Sequence, residues 1–214
     1  MIEVTAATDA HVEQFASHVA ELFWSTGPAS YGYQLGSRTL MDALVAASWP
    51  VRGTLFAHDA TTLAIADGEL LGIEVGFTDP GFLARIDALR ALWPGLVESG
   101  AVELEQIGDV ERRAAQCSWL NPTIPDDVYY IHAIAVTEAH RGGGVGAALM
   151  RHALARAEEA GLRAVQLDVL SDNPAVDFYR AFGFDCLVES TAPIPFAAGV
   201  PTELRMEHRF GTSA

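Results

Sequence analysis

The sequence predicts a single α/β domain, and three observations carry that reading. Runs with the two-residue alternation of strands are interleaved with runs spaced like amphipathic helices. Two β-rich stretches flank Asp67-Gly68, the dipeptide that a tight hairpin turn prefers. In "EAHRGGGVGAALMRH", residues 138–152, glycines crowd between a strand-like apolar run and a helix-like run rich in alanine and leucine. With 214 residues, half of them hydrophobic, the chain can bury a substantial core. No repeat, low-complexity tract or linker divides it, so residues 1–214 read as one unit.

"IEVTAA" opens with strand alternation, and "TDAHVEQFASHVAELFW" follows with Thr8 as N-cap and Val12, Phe15, Val19, Leu22 and Phe23 at helical spacing. "STGPASYGYQLGS" breaks the pattern and reads as an ordered surface loop whose Tyr31 and Tyr33 could line a pocket or simply pack half-buried. "RTLMDALVAAS" is a second helix ending before Pro50. "TTLAIADGELLGIEVGFT" is the hairpin. Between Gly81 and Trp119 an inserted helical pair is expected, "FLARIDALRALW" stopped by Pro94-Gly95 and then "AVELEQIGDVERRAAQC". "NPTIPDD" is a turn-rich connection and "VYYIHAIAV" a buried strand. After the glycine loop comes a helix, "GAALMRHALARAEEAG", closed by Gly161. A strand, "LRAVQLDVL", leads to a helix that Asn173 can cap, with Pro174 in its first turn and Gly183 at its end. "DCLVES" and "TELRMEHRF" add two strands across a proline-broken loop.

A formal charge of -15 excludes nucleic acid as the expected partner, because phosphate binding needs clustered cations. It suits a cationic substrate, although solubility alone is the more ordinary explanation. No signal-peptide pattern and no membrane-length apolar span are present, so a cytoplasmic protein without membrane attachment is expected. Cys117 and Cys186 lie far apart without metal-ligand spacing; both are expected to be buried thiols, with no metal site.

A glycine-rich turn from strand to helix presents backbone N–H groups at the positive end of the helix dipole, a ready anion site. A P-loop would need Lys and Ser or Thr after the last glycine, where Ala147 and Ala148 stand. A dinucleotide fingerprint would use Gly142-x-Gly144 with Ala147 third, but it belongs in a first βαβ unit, and this loop follows a hairpin and about 140 residues. The third arrangement is Arg/Gln-x-x-Gly-x-Gly/Ala, here Arg141-Gly142-Gly143-Gly144-Val145-Gly146. Farther along stand Asn173, Val176, Phe178, Tyr179, Gly183 and Phe184. With these two motifs in order, residues 129–184 resemble the GCN5-related N-acetyltransferase (GNAT) superfamily, and the hairpin resembles its second and third strands.

The resemblance implies a mixed, mostly antiparallel sheet splayed between strands 4 and 5, flanked by helices, with the helical insertion at about 81–119 lying between strands 3 and 4. It implies acetyl-CoA as acyl donor, its diphosphate held by the backbone of Arg141, Gly142, Gly143, Gly144, Val145, Gly146 and Ala147. A side chain at Gly144 or Gly146 would obstruct that grip. The pantetheine arm is expected along Ile134, Ala135 and Val136, with the Val136 N–H as oxyanion donor. Tyr179 takes the place of the general acid that protonates the leaving sulfur, although a Tyr packed between helix and sheet explains it too. Asn173 is expected to orient the pantetheine or a water besides capping its helix.

His132 is the candidate base, placed by strict alternation on one face with Tyr130, Ile134 and Val136. A satisfied core histidine is the competing reading. The family's commoner base, a glutamate earlier on this strand, is absent, and Asp126, Asp127 or Glu74 could serve through water. His140 and His152 are expected on solvated faces, and His18 and His58 show no partners in sequence. The insertion offers an acceptor lid, a homodimer surface or simple packing. The expected activity is direct transfer of an acetyl group to a small primary amine, and the alternative is a non-catalytic acyl-CoA- or partner-binding module.

Overall fold

Asp67 and Gly68 both adopt positive φ, 51° and 80°, the backbone of a primed turn whose twist matches its strands. That turn joins β2 (Thr61–Ala66) to β3 (Glu69–Thr78), and the sheet grows outward from this hairpin. The structure is a computed structural model that describes residues 1–78, 81–120 and 123–211. β1 (Glu3–Ala6) pairs antiparallel with β2, and β4 (Val128–Val136) antiparallel with β3. Beyond β4 come β5 (Ala164–Leu170), β7 (Glu203–Arg209) and β6 (Asp185–Ser190), giving the order β1-β2-β3-β4-β5-β7-β6.

Among the described residues only the β4–β5 pair is parallel, which requires a crossover, and α7 (Val145–Glu159) supplies it. The pairing runs from Val128 to Ile131 on β4 and from Ala164 to Leu167 on β5, then stops. Ile134, Ala135 and Val136 remain paired with β3 on their other side. The two strands therefore part company halfway, as the family resemblance implies.

Helices cover both faces. α1 (Asp9–Thr26) buries Phe15, Val19, Leu22 and Phe23, and α3 (Arg38–Ser48) buries Leu40, Met41, Leu44 and Val45 in the same core as Tyr130. Ser37 caps α3 by accepting the Leu40 N–H at 3.1 Å. On the opposite face Met150, Ala153 and Ala157 of α7 pack with Val176 and Tyr179 of α8 (Ala175–Ala181) against Tyr129 and Ile131.

Three local expectations differ. The segment read as a surface loop contains α2 (Pro28–Leu35), with Pro28 in its first turn and Gly36 at φ 79° ending it. Weak helix formers fold there because tertiary contacts hold them. The Tyr31 ring meets Trp24 and Phe56, the Tyr33 hydroxyl donates to Gln116 at 2.5 Å, and Arg113 donates to the Gln34 carbonyl. The expected helical pair is three helices: α4 (Gly81–Arg90), α5 (Trp93–Glu98) and α6 (Leu104–Gln116). Pro94 starts α5 rather than stopping α4, since a first-turn residue needs no N–H. The proline-broken loop before β7 holds α9 (Pro193–Ala197). Of the thiols, Cys117 is buried but Cys186 is exposed. Asn121 and Pro122 of the turn-rich connection lie outside the described residues.

Candidate active site in the opening between two strands

Where β4 and β5 separate, a cavity of about 620 Å³ opens. Tyr130 through Val136 form one wall, and Leu167 through Leu170 with Asp172, Asn173 and Tyr179 form the other. The N-terminal part of α2 closes one side, including Gly27 and Tyr31. Tyr179, His132, Ile134, Ala135, Val136, Arg141 and Asn173, each singled out from sequence, all line this one space. Gly142 to Ala147 continue from Arg141 at its margin but are not part of its lining.

Gly142 and Gly144 take φ of 76° and 84°, a region that side-chain-bearing residues seldom enter, and a Cβ at either would meet no protein atom. These residues keep the chain left-handed around open space. The first helical bond of α7 is Ala148 N–H to Gly144 O, so the amides of Val145, Gly146 and Ala147 stand ahead of the hydrogen-bonded ladder at the helix's positive end. Arg141 Nε donates to the Val136 carbonyl at 3.2 Å, tying the loop to the end of β4. Gly146 differs from the expectation: a Cβ there would face Val136 at 3.5 Å and Phe178 at 3.7 Å, which is ordinary packing inside the protein. A methyl at that position would not project into the loop's open side.

His132 sits at a β-bulge. Val75 pairs with Ala133 while the next residue, Gly76, pairs with Ile131, so His132 is the extra residue on β4. A bulge re-aims every side chain after it. Ile134 packs with Tyr129 and Ile131, whereas Tyr130, Ala133 and Ala135 share the other core. The single face expected for Tyr130, His132, Ile134 and Val136 is therefore split, with the His132 ring among Phe56, Phe77 and Phe82 on the Tyr130 side. Burial among these rings pushes the imidazole down to about 4. His132 Nε2 is buried without a hydrogen-bond partner. The neutral imidazole has one lone-pair nitrogen that can accept a proton, although burial opposes the charged form.

Tyr179 is buried against Phe178 and Phe184, and among the described residues nothing hydrogen-bonds its hydroxyl. Burial pushes the phenol well above its ordinary range, so it stays protonated at neutral pH. Asn173 Oδ1 accepts the Ala175 N–H at 2.9 Å, which establishes the capping role and leaves its amide at the cavity.

Sequence reasoning missed a charged cluster in this cavity. Asp168 accepts Arg205 Nε at 2.5 Å, Arg205 Nη2 at 2.6 Å and the Tyr130 hydroxyl at 2.8 Å. Glu203, also on the lining, has a buried Oε1 with no partner, and burial with the nearby Asp168 charge pushes it up to about 8 against the pull of Arg205. One signal was available: Glu203, Arg205 and Glu207 alternate with Leu204 and Met206, which reads as a solvent face, yet Arg205 and Glu207 are 3% and 5% exposed.

The other candidates lie elsewhere. Glu74 accepts the Tyr129 hydroxyl at 2.9 Å and is not on the cavity lining. Asp127 pairs with Arg163, and Asp126 is exposed outside the cavity. His58 is buried between the Trp49 carbonyl and Asp9, and His140 bonds Thr137. No residue of the 81–119 insertion lines the cavity, although Leu120 just after it does, beside the exposed Trp119. Among the described residues no cluster could hold a metal ion and no helix is long and apolar enough to cross a membrane.

Residues 100–184, which hold β4, the glycine loop, α7, β5 and α8, match the model of the acetyltransferase (GNAT) family. That stretch, somewhat under half of the chain, is similar to the GNAT family. A 73-residue stretch is 37% identical to an uncharacterised N-acetyltransferase of Methanocaldococcus jannaschii, covering 34% of this chain and 32% of that protein. The match thus spans about a third of the relative's length. The likeness in fold to solved acetyltransferases extends over nearly the whole chain. A crystal structure of an acetyltransferase aligns over 98% of this chain and 100% of its own, with a TM-score of 0.67 and 20% identity. An N-acetyltransferase from Staphylococcus aureus Mu50 aligns over 96% and 100%, with a TM-score of 0.67 and 16% identity. PaiA N-acetyltransferase from Thermoplasma acidophilum in complex with coenzyme A aligns over 98% and 99%, with a TM-score of 0.52 and 13% identity. At these identities the shared property is the fold.

Proposed function

We propose that the protein transfers an acyl group, acetyl by default, from acyl-CoA to a primary amine of a small molecule by direct attack, with no acylated enzyme. One observation carries the reading: a protonated, unpartnered Tyr179 and a neutral, unpartnered His132 nitrogen belong to one cavity, entered where two strands splay beside a left-handed glycine turn. The coenzyme A complex of the PaiA relative adds support for the donor class.

Acetyl-CoA would supply the activated carbonyl carbon. The amides of Val145, Gly146 and Ala147, ahead of the α7 ladder, are suited to its diphosphate, and the open space at Gly142 and Gly144 fits a ligand that closes on the backbone. Ile134 to Val136 offer main chain along the side that β5 leaves unpaired, and the Val136 N–H is the oxyanion donor. His132 takes a proton as the ammonium becomes an amine, and Tyr179 gives one to the departing sulfur. Neither cysteine lines the cavity, in keeping with direct transfer.

The test is release of CoA thiol from acetyl-CoA in the presence of pooled primary amines, with Tyr179→Phe alongside. Wild type should release thiol, and the variant should lose about 100-fold in turnover while its acetyl-CoA affinity stays within about twofold. Equal turnover removes Tyr179 as the acid. Acetyl-CoA binding without release from any pool favours the alternative, a non-catalytic acyl-CoA-binding module.

A further inference from the structure

Glu203 opens β7 opposite Leu170 of β5 and Ser190 of β6, at the end of the sheet where β4 and β5 have separated. Its Oε1 is shut off from solvent by the protein and has no hydrogen-bond donor. A buried carboxylate oxygen left unpaired is costly, and one that borders a cavity is open to completion by a ligand. Arg205, two residues along, donates through Nε and Nη2 to Asp168 and through Nη1 to Gln166. The cavity is lined by three carboxylates, Asp168, Asp172 and Glu203, and by one guanidinium, Arg141, which is held to the Val136 carbonyl. A cation that brings several N–H donors and no acceptor is the chemistry that satisfies such a wall.

We infer that Glu203, backed by Asp168, is the counter-ion that seats the acceptor's primary ammonium, an assignment that rests on the acyl transfer proposed above. It names the charge of the acceptor and the residue that selects for it. A neutral alcohol of the same shape would bring no charge to draw Glu203 into its carboxylate form, Asp168 being already held by Arg205 and Tyr130, and an anionic acceptor would meet like charge.

Among the described residues the titratable groups facing Glu203 are Asp168 on β5, Arg205 on β7, Tyr130 on β4 and Cys117 at the end of α6. Without ligand, Glu203 holds a proton up to about pH 8 because burial and Asp168 outweigh Arg205. An arriving ammonium favours the carboxylate and releases that proton. Amine binding should therefore tighten as pH rises toward 8 and should expel a proton below it.

The test is calorimetric titration of the CoA-bound protein with n-butylamine and phenethylamine, and with n-butanol and phenethyl alcohol as neutral matches, in buffers of different ionisation heat. Expected are amine binding with proton release, a loss of about tenfold or more in Glu203→Gln, partial recovery in Glu203→Asp, and alcohols weaker by a similar factor. CoA affinity unchanged in both variants shows that the fold survives. Equal amine affinity in Glu203→Gln, alcohols that bind as well as amines, or no amine binding by wild type each overturns the assignment. Amine binding that depends on Glu203, combined with no acetyl transfer by wild type, upholds the subsite and overturns the acyl-transfer reading alone.

Discussion

Glu74 and Glu203 are two carboxylates drawn into the same fold, each with one oxygen lacking a partner. Burial pushes both upward, Glu74 to about 7 and Glu203 to about 8. Their surroundings separate them. Glu74 lies fully buried in β3, bonded by the Tyr129 hydroxyl, with the Arg156 guanidinium of α7 4.0 Å away. Glu203 lines the opening between the splayed strands. A carboxyl that titrates near neutrality thus reports burial first, and becomes a candidate for ligand chemistry only where a cavity reaches it.

The largest effect that tests this contrast is on stability. The Glu74 carboxyl is raised in the folded protein from 4.5 to about 7. Within that window the folded chain holds a proton that the unfolded chain has released, so stability is full below the window and declines as pH rises through it. The decline amounts to about 3 kcal/mol. Glu74→Gln keeps an acceptor for Tyr129 and removes the titration, so its stability relative to wild type should rise by about that amount between roughly pH 4 and pH 8. Urea unfolding at the two pH values checks it. Turnover should be unchanged; a fall in amine affinity matching that of Glu203→Gln would erase the distinction between the two carboxylates.

A smaller effect separates proton acceptance from packing at His132. With the imidazole pushed down to about 4, the acid limb of kcat/KM assigned to it should fall near that value and not near 6.5. His132→Ala should lower turnover about tenfold near neutral pH and recover part of it in alkali, where more amine is already neutral. His132→Phe is the informative partner, because it refills the slot between Phe56, Phe77 and Phe82 without a proton acceptor. Equal losses support the base, whereas activity retained by the Phe variant makes His132 a packing residue.

The same contrast between local and distant information explains what the sequence disclosed. Asp67-Gly68, the glycine loop, the Asn173 cap and the crossover helix were legible because each is decided within a few residues. The helix α2 was not, because its Gly, Ser and Tyr residues are held by Trp24, Phe56 and Arg113, far away in the chain. The bulge at His132 was invisible for a related reason: it is a mismatch between β3 and β4, and no feature of "VYYIHAIAV" alone announces it. Glu203 and Arg205 passed unremarked because alternation cannot say whether both faces of a sheet are covered.

The smallest expected effect divides two glycines that the sequence treats alike. Gly144 is left-handed at φ 84°, so Gly144→Ala should cost about 1 kcal/mol in stability from backbone strain. Gly146 lies inside α7 with room for a Cβ beside Val136 and Phe178, and a helical alanine is favoured over glycine by up to about 1 kcal/mol. Gly146→Ala should therefore be neutral or slightly stabilising, with acetyl-CoA affinity held within about twofold because the methyl is buried in the protein. A large loss of affinity with stability intact would mean that the ligand passes over the first turn of α7 close enough to touch that methyl. The grip on the diphosphate would then extend from the left-handed turn into the helix itself.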